Sequence, residues 1–180
     1  MSDKDFNVRC ELADLYRILH MYGMTDLANQ CAGARSIENK DNSFVHPYGM
    51  FYEEITASSL VKINKEGKAI ENDNPWLNDG CNNLAKWIFN ARQDVNFYVH
   101  GHANDVMAVG GTKEGLMYLS QAAVYLNHLI GYVDYEFVED KDYGNKFMSL
   151  IKQHDILITR NHGYYTCLLY TSDAADDGVG

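Results

Sequence analysis

Val95-Asn96-Phe97-Tyr98-Val99-His100-Gly101-His102 is the stretch on which the reading of this chain turns. Val95 to His100 is rich in β-branched and aromatic residues, which predicts a buried strand. Side chains alternate between faces along a strand, so His100 and His102, one residue apart at its end, point the same way. Strand ends are where open α/β sheets place their ligands, and two imidazoles on one face can chelate one divalent ion. A third, His162, follows the apolar strand Ile156-Leu157-Ile158-Thr159 and precedes Gly163. Three imidazoles with one position left open is an arrangement of catalytic zinc sites. The other histidines have plainer explanations. His20 falls within an amphipathic helix, His154 sits at a helix end where the dipole favours it, and His46 and His128 read as turn or core residues.

Working outward, Asn78 or Asp79 can cap a helix with the apolar stripe Leu84, Trp87, Ile88 and Ala91, which ends at Arg92-Gln93-Asp94. Downstream, a short helix begins near Ala103, and Leu119 to Leu129 is a further helical segment. Tyr132 to Val138 reads as a strand, Tyr143 to Gln153 as a helix and Asp155 to Thr159 as a strand. Toward the N-terminus, Leu12, Leu15, Tyr16, Leu19 and Tyr22 recur at helical spacing, with Gly23 as the stop. Asp26 to Arg35 is small and polar and predicts no element. Ser43 to His46 and Leu60 to Ile63 read as short strands. Strands and helices alternate throughout, which predicts an α/β class with one central sheet.

The 180 residues suit one domain with a sizeable core. With 15 Lys+Arg against 25 Asp+Glu, the net charge of −10 leaves no basic stripe for nucleic acid. No window of 18 apolar residues predicts a membrane span, and the charged Met1-Ser2-Asp3-Lys4-Asp5 lacks a signal-peptide core. Cys10, Cys31, Cys81 and Cys167 form no C-x-x-C pair, which fits free thiols in a reducing compartment and a cytoplasmic location. Residues 167–180 break the pattern. They resemble translated adapter read-through or a disordered acidic tail, and the expected domain is 1–166, cut short at its C-terminal side.

A second segment, His46-Pro47-Tyr48-Gly49-Met50, places Pro47 and Gly49 in a tight turn. Free backbone N–H groups in such a turn can hold an anion, although a plain structural turn explains the spacing equally well. Glu53-Glu54 and Ser58-Ser59 follow it and can cap the next turn.

Taken together, several stretches make the chain resemble the class II aldolase/adducin family, and its bacterial adducin-like branch above all. They are Asp26-Leu27-Ala28 through Ala34-Arg35, His46-Pro47-Tyr48-Gly49 with Glu54 to Lys62, Arg92 to Ala103, and Arg160-Asn161-His162-Gly163. Lys113-Glu114-Gly115-Leu116, Leu119-Ser120-Gln121 and Tyr132 to Glu136 add to the likeness, which spans residues 9 to 166. The resemblance implies a three-layer α/β/α domain with a mainly antiparallel sheet, in homo-oligomers that are often tetramers. It also implies a zinc ion on His100, His102 and His162, acting as a Lewis acid that stabilises an enediolate from a small carbonyl or sugar-derived substrate. The family's aldolases use a glutamate as general acid/base, and Cys81 stands at its position here. Asp79, two residues earlier, is a carboxylate that can compensate, and Glu54 can line the edge of the pocket. Cys31 and Gly33 stand where the aldolase phosphate loop carries polar side chains. These departures leave a non-catalytic, adducin-like assembly or partner-binding module as the alternative function.

Overall fold

The computed structural model describes residues 3–27, 29–71, 76–136 and 141–168. Its helices are α1 (Asp3–Met21), α2 (Asp79–Ala91), α3 (Asn104–Gly111), α4 (Gln121–Asn127) and α5 (Lys141–Ile151). Its strands are β1 (Cys31–Arg35), β2 (Ser43–Val45), β3 (Val61–Ile63), β4 (Phe97–Gly101), β5 (Ile130–Asp134), β6 (Ile156–Arg160) and β7 (Gly163–Leu168). They form one sheet in the order β3-β2-β1-β4-β7-β6-β5. Every pair is antiparallel except β5 with β6. That parallel pair needs a crossover, and α5 supplies it.

Helices cover both faces, which is the expected three-layer arrangement. On one face α2 and α5 bury Leu84, Trp87, Ile88, Tyr143 and Phe147 against Tyr98, Leu157 and Tyr165. On the other, α1 buries Val8, Leu12, Leu15, Tyr16 and Leu19 against Ala32, Ala34, Phe44 and Val99. Each set follows the i, i+3, i+4 spacing of a helix over the period of two of a strand. Beside α1 this second face stays partly open. An apolar groove of about 670 Å³ runs there, bounded by Leu15, Leu19, Tyr22, Val99, Tyr164 and Leu168.

The helix predicted from Glu11 begins eight residues earlier, because long-range polar contacts rather than apolar periodicity hold its first turns. The buried Asp5 carboxylate accepts from the Ser36 hydroxyl (2.9 Å), the Ile37 N–H (3.1 Å) and Lys62 (2.8 Å). Burial alone would raise that carboxyl, but the Lys62 and Ser36 contacts outweigh it and hold it below the ordinary range. Arg9, also buried, donates to the Leu60 carbonyl (2.6 Å) and to Glu71, with its guanidinium over the Phe44 ring.

Two strands were not predicted. β1 lies between β2 and β4 with all five residues buried, although Cys-Ala-Gly-Ala-Arg carries no β-branched or aromatic side chain. Its small residues are what the neighbours require, since a side chain at Gly33 would run into the Tyr98 ring. Arg35 ends it by donating to the carbonyls of Val95, Lys40, Phe89 and Arg92, two of which close the C-terminal end of α2. β7 pairs with β4 as far as Tyr98↔Cys167 and Phe97↔Leu168, so this strand includes two residues of the segment 167–180. Residues 169–180, and Val138 at the end of the strand predicted from Tyr132, lie outside the described residues. No helix among the described residues is long and apolar enough to cross a membrane.

Candidate metal site

β4 and β7 run side by side with His100 opposite Tyr165 and Gly101 opposite Tyr164. His162 occupies the tight turn from β6 into β7, where the preceding Asn161 takes a left-handed φ of +58°. These placements bring His100, His102 and His162 together with one ring nitrogen from each inside a 4.8 Å span. Nδ1 of His100 lies 2.9 Å from the Tyr164 carbonyl, and Nδ1 of His102 lies 3.0 Å from a carboxylate oxygen of Asp26. Both partners are oxygen acceptors, which assigns a proton to each Nδ1, and in the neutral, metal-binding form of each ring Nε2 then carries the lone pair. The two Nε2 atoms stand 3.1 Å apart. Facing lone pairs at that distance repel unless a cation lies between them. The separation is also close to what two ligands about 2.0–2.1 Å from one zinc ion would show. The donor set therefore fits a divalent metal.

Packing holds the rings in place. His100 stacks on Tyr165 with centroids 4.4 Å apart, and His162 stacks on Tyr135 at 4.6 Å. Burial pushes the His100 pKa down to about 3, against a smaller upward pull from the Tyr164 carbonyl. Burial, with the neighbouring His102, pushes His162 down to about 4. Both are neutral at neutral pH, the form that binds metals. Two glycines make room. A side chain at Gly101 would strike Tyr164, and a Cβ at Gly163 would lie 2.5 Å from the Gly101 carbonyl oxygen and 2.7 Å from the His102 ring. A polar hollow of about 80 Å³ adjoins His102, lined by Gly23, Met24, Thr25, Gln30, Ala103 and Asn104.

The other residues singled out by sequence are placed as follows. Cys31 pairs in register with His100, so the two side chains share a face. Its thiol lies against Cys81 and accepts from Tyr98 at 3.8 Å, and burial pushes it well above the ordinary thiol range. Cys31 and Gly33 are thus not part of a loop, as expected from the phosphate-loop likeness, but buried rungs of β1 with backbone groups engaged by β2 and β4. Cys81 is 5% exposed in the first turn of α2, where its N–H donates to the Asn78 cap. Asp79 is exposed at the start of that helix. Glu54 is exposed and accepts from the Phe51 N–H, closing a local turn. Gly49 sits in the turn after β2 with φ of +92°, beside a partly buried Pro47. Sequence reasoning assigned no role to Asp26, Tyr135 or the Tyr164 carbonyl. Only Asp26 carries a chemical signal, and nothing local ties it to His102, 76 positions away.

The chain is similar to known proteins in sequence and in fold. A Caulobacter vibrioides protein named for the aldolase class 2 group is 32% identical over 164 residues, covering 91% of this chain and 64% of that protein. Alpha-adducin of Rattus norvegicus is 32% identical over 160 residues, covering 87% of this chain and 22% of that protein. The chain thus spans less than two thirds of these relatives. Among solved structures, an aldolase II superfamily protein from Pseudomonas syringae superposes with a TM-score of 0.91 at 27% identity, over 97% of this chain and 70% of that one. L-fuculose 1-phosphate aldolase from Glaciozyma antarctica shares the fold with a TM-score of 0.82 at 21% identity, over 94% of this chain and 66% of that one. The family model for the class II aldolase and adducin N-terminal domain matches residues 10–174, and the chain belongs to that family.

Proposed function

We propose that this domain is the metal-binding catalytic domain of an aldolase-type lyase acting on a small carbonyl or sugar-derived compound. One observation carries the reading: two Nε2 atoms 3.1 Å apart, with the third imidazole within reach. His100, His102 and His162 would hold the ion, with zinc favoured by an all-imidazole set. When bound, the metal would supply a Lewis acid for the charge that develops on a carbonyl oxygen as the neighbouring carbon–carbon bond breaks. The chain's own part is to hold three imidazoles in one orientation, through the Tyr164 carbonyl, Asp26 and the stacked Tyr165 and Tyr135 rings. Cys81, Asp79 and Glu54 are the candidates for proton transfer, and Pro47 and Gly49 for an anionic group. The reading includes a homo-oligomer, tetrameric as the family resemblance implies, and a cytoplasmic location, which four free cysteines support.

The alternative, a non-catalytic adducin-like module, draws on a specific observation as well. Cys81, at the position of the family's glutamate, packs its thiol against Cys31 in the interior, and Asp79, the carboxylate in the first turn of α2, is exposed. Elemental analysis after dialysis, with a screen of aldehydes and sugar phosphates in added zinc or manganese, separates the two readings. Metal-dependent cleavage that His162→Ala abolishes is the expected result. Stoichiometric metal without turnover on any carbonyl would favour the module, and absence of metal from a folded chain would sink the metal reading.

A further inference from the structure

We propose that Asp26 is a positioning residue for the metal ligand His102, acting through the ring rather than on the metal. The proposal rests on the metal reading above and concerns a side chain that neither the spacing of the histidines nor the family likeness assigns. Each of the three imidazoles has an outer contact, and the three differ in kind. His100 is oriented by a main-chain carbonyl, which no substitution removes. His162 is oriented by a ring stack with Tyr135. Among the described contacts, His102 is oriented by a charged side chain, Oδ2 of Asp26 at 3.0 Å from Nδ1.

That carboxylate is delivered by a built loop. α1 is closed at Gly23, with φ of +67°, by Gly23 N–H to His20 and Met24 N–H to Leu19 hydrogen bonds of 2.9 Å. The chain then turns back through Asn29 N–H to the Asp26 carbonyl at 3.0 Å. Gln30, only 3% exposed, braces the bend from beneath. With its amide assigned to satisfy both neighbours, it donates to the Met24 carbonyl (3.1 Å) and accepts from the Asp26 N–H (2.9 Å). The Asp26 backbone is thus fixed before any metal arrives. A carboxylate behind a ligating imidazole fixes its tautomer, leaves Nε2 as the donor atom and strengthens that donor. Without it, the His102 ring loses its reason to keep the proton on Nδ1 and can present an N–H where a lone pair is needed.

The test uses the whole chain and two readouts besides activity. Zinc affinity is measured by competition with a chromophoric chelator for wild type, Asp26→Asn and Asp26→Ala. Asp14→Asn, at an exposed site on α1, is the control. Loss of an outer-shell partner of this kind weakens metal binding about 10- to 100-fold. Asp26→Ala is expected to fall in that range, Asp26→Asn to fall less because its carbonyl oxygen still accepts from Nδ1–H, and the control to match wild type. In parallel, nitrogen-15 NMR of the metal-free chain reads the His102 tautomer, expected as Nδ1–H in wild type and redistributed toward Nε2–H in Asp26→Ala. Equal affinities with an unchanged tautomer would overturn the role of Asp26. If wild type binds no zinc, the metal reading is what fails, and the tautomer shift still decides whether Asp26 sets the ring. Asp26→Asn keeps the loop's shape and serves if the alanine variant does not fold.

Discussion

His46 shows how burial alone sets the charge of a side chain here. It is 2% exposed, its Nδ1 lies 2.9 Å from the Tyr16 hydroxyl, and burial pushes its pKa from the ordinary 6.5 to about 4. His100 and His162 are displaced in the same direction. A folded-state pKa below the unfolded one means that the unfolded chain binds more protons between the two values. The stabilisation is complete above pH 6.5 and is lost as the pH falls toward 4. The metal-free chain should therefore melt at progressively lower temperature between pH 6.5 and 4.5, as followed by circular dichroism. His46→Leu keeps the hydrogen bond between the Tyr16 hydroxyl and Ala32 and removes one of the protons taken up on unfolding. It should flatten the stability profile by about 1.4 kcal/mol per pH unit within that window. An unchanged slope in the variant would show that His46 is not held neutral in the folded chain.

At the scale of elements, the site is a property of the β4–β7 pairing and of the turn before it. Gly163 begins β7 against the end of β4 and the His102 ring just past it, where an added Cβ meets the Gly101 carbonyl oxygen at 2.5 Å and His102 at 2.7 Å. Backbone cannot swing aside as a side chain can, so Gly163→Ala must spread the two strands or tilt the ring. Overpacking of this kind costs about 1–3 kcal/mol, and the displaced His102 should weaken zinc binding at the same time. Urea unfolding and a zinc titration would read both effects. Gly49→Ala, in a turn with open space around it but φ of +92°, should cost about 1 kcal/mol in strain and leave zinc binding intact. Coupled losses in Gly163→Ala alone would locate the metal at this pairing.

The same elements show what the sequence could disclose. β4 and the histidine pair were legible because one strand carries both the apolar pattern and the ligands. His162 was legible because an apolar run ends beside it. β1 was not, because Ala32, Gly33 and Ala34 are small to fit beneath Tyr98 and Phe44, a constraint that exists only once the strands are paired. Asp26 was not, because its meaning depends on a ring 76 positions away. The extra turns of α1 were hidden for the same reason, since Asp5 and Arg9 read as surface charges until Ser36, Lys62 and Leu60 are brought to them.

For the molecule as a whole, the segment 115–127 stands out among the described residues as poorly suited to water. It contains no charged residue in a chain of net charge −10, and it leaves Met117, Tyr118, Leu119, Val124, Tyr125 and Leu126 between 39% and 81% exposed. Yet it is fixed in shape. Tyr118 donates to Asn127 (2.9 Å), Asn127 donates to the Leu116 carbonyl (2.7 Å), and the Leu116 N–H donates to the Tyr132 hydroxyl on β5 (2.7 Å). Six exposed apolar side chains within one hydrogen-bonded segment are the kind of surface that marks an association site. Two acidic copies repel least where neither carries charge, so this surface is where the proposed homo-oligomer should close. Sedimentation equilibrium of wild type should show an assembly. Tyr118→Lys with Tyr125→Lys places two ammonium groups on the patch and should shift it to monomer by at least tenfold in dissociation constant. Zinc affinity should be retained, because the site is held by β4, β7 and the Asp26 loop within one copy. A monomeric wild type, or a doubly substituted chain that assembles as before, would remove this patch from the assembly. Loss of zinc affinity along with assembly would instead show that the neighbouring copy helps to hold the histidines.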